Sequence, residues 1–179
     1  MKGTWDLGIV YHRESPSNSR GHRDATPCGY CDANYAENPH DQKSTSGYSF
    51  MLAGGPITWK SKKQALVTLS TTEAKYYALG VACQEAVWLQ QLCKELHMDL
   101  NQLTPIYSDN MGMVALSDNP IFHNHSKKID IRWHFVCDLI WSKLIHTLHI
   151  PGMENSSNFL TKVLNQFEHE RCGKLLGME

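Results

Sequence analysis

The chain has 179 residues, 41% of them hydrophobic, and its 17 Lys and Arg against 18 Asp and Glu leave a formal net charge of −1. That length suits one domain with a real core and not two comfortable ones. A near-neutral chain excludes wholesale electrostatic binding of nucleic acid, so any positive surface must be local, and no apolar run approaches membrane-spanning length. The N-terminus, Met1-Lys2-Gly3-Thr4-Trp5, lacks a signal-peptide core, so the protein is expected to be soluble and intracellular, in cytoplasm or nucleus.

Residues 7–11 read as a short strand, followed by a polar, mobile linker from His12 to Pro27. Strands are predicted at 28–33, 46–52 and 56–60, with turns at Asn38-Pro39-His40-Asp41 and Ala53-Gly54-Gly55-Pro56. Short connections between three strands imply an antiparallel meander. A long helix spans 71–96, where Ala74, Tyr77, Ala78, Val81, Trp88, Leu89, Leu92 and Leu96 recur at helical spacing. Ser70-Thr71-Thr72-Glu73 matches a capping box at its start. There follow a strand at 105–109, a short helix at 111–117, a loop with Asn119-Pro120, a helix at 130–142 and a strand at 145–150. A helix is expected to begin near 155, with Asn158 in its first turns, and the tail 166–176 is expected to be helical.

The order βββ-α-β-α-α-β-α separates the later strands by helices, so they should join the sheet parallel to the first. Asp32 and Asp109 then fall at the same end of neighbouring strands, and Glu73, in the first turn of the packing helix, can reach the same spot. Carboxylates drawn together from separate elements repel one another unless cations bind between them. Such a cluster points to Mg²⁺, which prefers oxygen ligands and keeps positions open for water and phosphate. Each acid also has a local explanation. Asp32 suits a turn after a strand, Glu73 the third position of its capping box, and Asp109 the N-cap of the next helix.

The motifs resemble those of the ribonuclease H domain of Copia-type LTR retrotransposon Pol polyproteins. The matching segments begin with Gly29-Tyr30-Cys31-Asp32-Ala33, Ser44-Thr45-Ser46-Gly47-Tyr48 and Pro56-Ile57-Thr58-Trp59-Lys60-Ser61-Lys62-Lys63-Gln64. They continue with Leu69-Ser70-Thr71-Thr72-Glu73-Ala74, Tyr107-Ser108-Asp109-Asn110, Asn119-Pro120 with Phe122-His123, Lys128-Ile129-Asp130-Ile131-Arg132-Trp133-His134-Phe135, and Phe159-Leu160-Thr161-Lys162. They span 29–164 in order, and their number in register carries the resemblance. It implies an α/β, ribonuclease H-like fold: a five-stranded mixed sheet of order 3-2-1-4-5 with helices on both faces. It divides the chain into 1–27, the end of a polymerase connection and a flexible linker; 28–164, the ribonuclease H-like domain; and 165–179, a C-terminal helical tail.

The implied reaction is hydrolysis of the RNA strand of an RNA–DNA hybrid with Mg²⁺, or Mn²⁺ in its place. By resemblance Asp32 bridges two metal ions, and Glu73 and Asp109 each bind one. The family's fourth acid falls at Asn158, where an amide removes a full negative charge, so weakened two-metal catalysis is expected. The alternative is a non-catalytic, nucleic-acid-binding remnant of the same fold. Implied partners are the hybrid and a reverse transcriptase domain of the same polyprotein.

For hybrid binding the candidates are Lys60, Lys62, Lys63, Lys127, Lys128 and Arg132, in or beside loops, contacting phosphates. Recognition should rest on minor-groove shape and 2′-hydroxyl contacts. Two metal-like patterns are set aside. Cys28-x-x-Cys31 has no helix after it and no second pair, and His123, His125, His134 and Cys137 are interleaved with the apolar Ile129 and Trp133, read as core positions.

Overall fold

In the computed structural model, residues 7–11, 26–37, 40–98, 103–118 and 127–178 are described, apart from the side chains of 118 and 127–130. Residues 12–25 of the expected linker, Asn38 and Pro39 of the expected turn, the Asn119-Pro120 loop, His123 and His125, and the side chains of Lys127 and Lys128 lie outside that description, whereas Thr26 and Pro27 are described and buried.

Strands β1 (Cys28–Asn34), β2 (Thr45–Leu52) and β3 (Gly55–Lys63) form the antiparallel meander. The β2–β3 link is a two-residue turn in which Ala53 (φ 53°) and Gly54 (φ 83°) both have positive φ, the geometry that matches strand twist in a tight hairpin. Helix α1 (Thr71–Glu95) leads to β4 (Thr104–Ser108), then α2 (Met111–Asp118), α3 (Lys127–Trp141) and β5 (Ile145–His149). The sheet order is β3-β2-β1-β4-β5, with β4 parallel to β1 and β5 parallel to β4, as expected. α4 (Gln166–Leu175) closes the chain. No helix among the described residues is long and apolar enough to cross a membrane.

Side chains alternate across a strand, so the two faces of the sheet separate cleanly. Cys31, Tyr48 and Phe50 face α1 and α3, where they join Leu79, Ala82 and Val136 in the main core. Tyr76 of α1 stacks on Trp133 of α3 with ring centroids 4.9 Å apart. On the opposite face lie Asp32, Gly47 and Ser49, covered by the segment between β5 and α4. A Cβ on Gly47 would sit 2.7 Å from Thr161 Cγ2 and 2.8 Å from Leu160 Cβ, so only glycine allows that segment to lie so close.

The segment after β5 departs from expectation. It is not an α-helix but two 3-10 turns, Gly152–Glu154 and Ser156–Leu160. The cause is local pinning. Asn155 is fully buried, donates from Nδ2 to the Cys31 carbonyl at 3.0 Å, and accepts from the Ser157 N–H at 3.1 Å. Ser156 Oγ meets Ser49 Oγ at 3.1 Å. Tied to the sheet at two successive residues, the chain tightens to i→i+3 bonds such as Thr161 N–H to Asn158 O.

The buried stripe of α1 is also rotated from the expected one. It keeps Ala74, Ala78 and Leu89 but adds Tyr76, Leu79, Ala82, Ala86 and Cys93, leaving Trp88 54% exposed and Tyr77 half-buried beneath Arg132. Small residues on the buried side let the helix approach the sheet, so Trp88 turns outward while Tyr76 packs on Trp133. Residues 7–11 contribute a single bridge, Ile9 to Met178, in place of a strand.

Candidate active site at the ends of β1 and β4

The parallel pairing of Tyr30 with Tyr107 sets Asp32, near the end of β1, level with Asp109, just past β4. Asp32 is fully buried. Its Oδ1 lies 2.9 Å from the Lys75 ammonium, and its Oδ2 accepts from Thr161 Oγ1 at 2.6 Å and lies 3.3 Å from Lys162 Nζ. Lys75 also hydrogen-bonds Oδ1 of Asp109. One ammonium therefore bridges the two aspartates, with the Lys75 side chain 15% and the Asp109 side chain 16% exposed.

Sequence reasoning placed Glu73 in this cluster. In the structure its carboxylate accepts the Leu69 N–H at 2.7 Å, and its own N–H donates to Ser70 Oγ at 3.1 Å. Side chains two apart on a helix differ by about 200° around its axis, so when Lys75 faces the sheet end, Glu73 faces away. The local explanation for Asp109 also gives way, because Asn110 Oδ1 accepts the Met113 N–H at 2.7 Å and so occupies the helix-start position.

Asn158 braces the loop beside Asp109. Its Nδ2 donates to the Gly152 carbonyl at 2.6 Å, and a Cβ on Gly152 would be 3.2 Å from Asp109 Oδ2. Asn158 Oδ1 is buried without a hydrogen-bond partner among the described residues.

Burial pushes the Asp32 carboxyl up, but the charges of Lys75 and Lys162 and the hydrogen bonds from Thr161 and Lys75 outweigh it, and its pKa is lowered. Burial pulls Lys75 down, while Asp32 and Asp109 more than reverse this and hold its pKa raised. Burial, aided by the Asp32 charge, pushes the Cys31 thiol up to about 12, so it stays neutral. The signs fix a pH profile. A lowered carboxyl stabilises the fold above its unfolded pKa and loses that contribution as pH falls through the folded value. A raised lysine stabilises below its unfolded pKa and loses that contribution as pH rises through the folded value. Urea midpoints should therefore be flat near neutrality and fall at both the acid and alkaline ends. In Asp32→Asn the acid limb should shrink.

The candidate phosphate contacts are not gathered around Asp32. Lys60 and Lys62 are exposed at the end of β3, opposite Tyr48 and Ser46 and so on the other face from Asp32. Lys63 pairs with Asp41 at 2.8 Å. The Arg132 guanidinium lies 3.5 Å over the Tyr77 ring. The cations at the acids are Lys75 and Lys162, which sequence reasoning passed over. No local pattern in the sequence singles out either lysine, because the side of α1 that faces the sheet and the pairing of Lys162 with Asp32 are set by distant contacts.

Among the described residues no three His, Cys, Asp or Glu side chains are grouped to hold a metal ion. The arrangement does not fit a two-metal set as it stands. A lysine stands between the acids, 2.9 Å from Asp32 Oδ1, the other Asp32 oxygen accepts from Thr161, and the amide nitrogen of Asn158 is committed to a backbone carbonyl. Two buried oxygens without a well-directed hydrogen-bond donor among the described residues, Asp32 Oδ1 and Asn158 Oδ1, suit an ion or a water.

No protein-family profile matches the chain. It is 37% identical over 150 residues, 84% of its length, to the Retrovirus-related Pol polyprotein from transposon TNT 1-94 of Nicotiana tabacum, and spans 11% of that polyprotein. A crystal structure of LC11-RNase H1 in complex with RNA/DNA hybrid aligns over 76% of this chain and 94% of that one, with a TM-score of 0.56 at 13% identity. The foamy viral protease-reverse transcriptase in complex with RNA/DNA hybrid aligns over 92% of this chain and 23% of that one, with a TM-score of 0.58 at 14% identity. By sequence the chain is related to Copia-type retrotransposon Pol polyproteins, and its fold is that of the ribonuclease H structures.

Proposed function

We propose that this domain binds RNA–DNA hybrid without hydrolysing its RNA strand. The sequence relationship and the fold support the hybrid as ligand, and two structural neighbours are complexes with such hybrids. The observation that carries the second half is the Lys75 ammonium bridging Asp32 and Asp109. Hydrolysis by the family's route needs divalent ions to activate water and stabilise the leaving oxygen. Mg²⁺ or Mn²⁺ would supply that chemistry at Asp32, Asp109 and Asn158 only after displacing a tethered cation. No reaction step is therefore assigned to this chain. The same family reading makes a reverse transcriptase domain of a longer polyprotein its covalent neighbour.

The test is fluorescence anisotropy of labelled hybrid beside a cleavage assay with Mg²⁺ and with Mn²⁺. Binding is expected and turnover is not. Failure to prefer hybrid over duplex DNA would remove the reading.

Two variants sharpen it. Changing Lys62 and Lys63 together to Glu should weaken hybrid binding and lower the slope of log K against log salt by about one for each phosphate no longer neutralised. Lys63 already faces Asp41, so Lys62 should account for most of the change. An unchanged slope would return both to ordinary surface charges. Asn158→Asp restores the fourth carboxylate but leaves Lys75 in place, so RNA cleavage should stay at background. A ten-fold rise, equivalent to about 1.4 kcal/mol of transition-state stabilisation, would instead make Asn158 the limiting defect.

A further inference from the structure

We infer that Lys75 is a resident cation: its ammonium takes the place between Asp32 and Asp109 that a divalent ion would otherwise fill, so the domain holds its acid pair folded without metal. The inference rests on the functional reading above for the identity of the site, but not for its test.

Two buried or near-buried carboxylates side by side cannot both stay ionised without positive charge between them. Here the charge is covalently attached. Lys75 touches both acids, and Lys162 stands 3.3 Å from the remaining Asp32 oxygen, so two lysine charges balance the two aspartates. The lysine cannot easily leave. It is one turn before Leu79, which is fully buried in the core, so the helix fixes where its stem emerges. Surface ion pairs of lysine contribute little because both partners can return to water. Asp32 is fully buried and has no such option. Glu73, the nearest acid on the helix, is held on the Leu69 N–H and does not contest the position.

Position 75 thus decides whether the cluster needs metal. Lys75→Glu would exchange the built-in cation for a third carboxylate beside Asp32 and Asp109, and Lys75→Gln would remove the charge alone. Mn²⁺ binding, read by electron paramagnetic resonance, and melting temperature with and without Mg²⁺ test this on the whole chain without hybrid. The wild type should bind no Mn²⁺ at about 1 mM and show no shift with Mg²⁺, as expected when the folded state gains nothing from the ion. Lys75→Glu should melt lower without metal, bind Mn²⁺ at least about ten-fold tighter than wild type, and regain several degrees with Mg²⁺. Adding Asp109→Asn should abolish that gain. If Lys75→Glu does not fold, Lys75→Gln should still bind Mn²⁺ more tightly than wild type. Wild-type binding as tight as either variant, or no gain in a folded variant, would overturn the inference. Hybrid binding does not enter these readings, so its failure would sink the functional proposal and leave this one standing.

Discussion

Asp32→Ala is expected to lower folding stability by about 3–5 kcal/mol, the range seen when one partner of a buried charge cluster is removed. The wild-type carboxylate accepts from Thr161 and is flanked by Lys75 and Lys162, all within 3.3 Å. Without it Lys75, whose side chain is 15% exposed, has only Asp109 to balance it, and the Thr161 hydroxyl loses its acceptor. Lys162 is freer, at 36% exposed, and can turn to water. Asp32→Asn should cost less, because the amide keeps the volume and can still accept from Thr161. Urea unfolding of the three proteins measures this. A cost below about 1 kcal/mol for Asp32→Ala, the scale of a surface pair, would mean that both lysines relocate freely and that the cluster is not a structural unit.

Asn155→Ala is expected to cost about 2–3 kcal/mol, combining loss of a helix-start cap with loss of buried hydrogen bonds. Asn155 is fully buried and ties the 3-10 segment to the Cys31 carbonyl, next to Asp32 in the chain. Its Oδ1 also accepts from the Ser157 N–H and hydroxyl. Thr161 and Lys162 reach Asp32 from the end of the same segment, so the effect should spread. Hydrogen exchange at 156–162 should quicken more than in β4 or α3. Uniform quickening would reduce Asn155 to general core packing.

The sheet was legible because its signals are local. Short turns announce a meander, and helices between later strands force parallel pairing, which places Asp32 and Asp109 together. The helical period also announced α1, but not which side of it faces the sheet. Large apolar residues suggested one stripe, whereas the close approach of α1 selects small ones such as Ala82 and Ala86. That rotation puts Lys75 at the acids and Glu73 on its own helix start, where Ser70 caps its N–H as the capping-box motif predicts but its carboxylate takes the Leu69 N–H in place of that of Ser70. The 3-10 segment was unreadable for a different reason. Its shape comes from Asn155 and Ser156 bonding residues 124 and 107 positions away, and no local pattern carries such partners. The pairing of Lys162 with Asp32 is equally non-local.

The most direct measurement is a cleavage assay on an RNA–DNA hybrid labelled on its RNA strand, in Mg²⁺ and in Mn²⁺, with binding read on the same samples. With Lys75 between the acids, the wild type should bind hybrid and leave the RNA as intact as Asp109→Asn does. Metal-dependent cleavage by the wild type that disappears in Asp109→Asn would contradict the account, because the acid pair would then be holding a working ion despite Lys75.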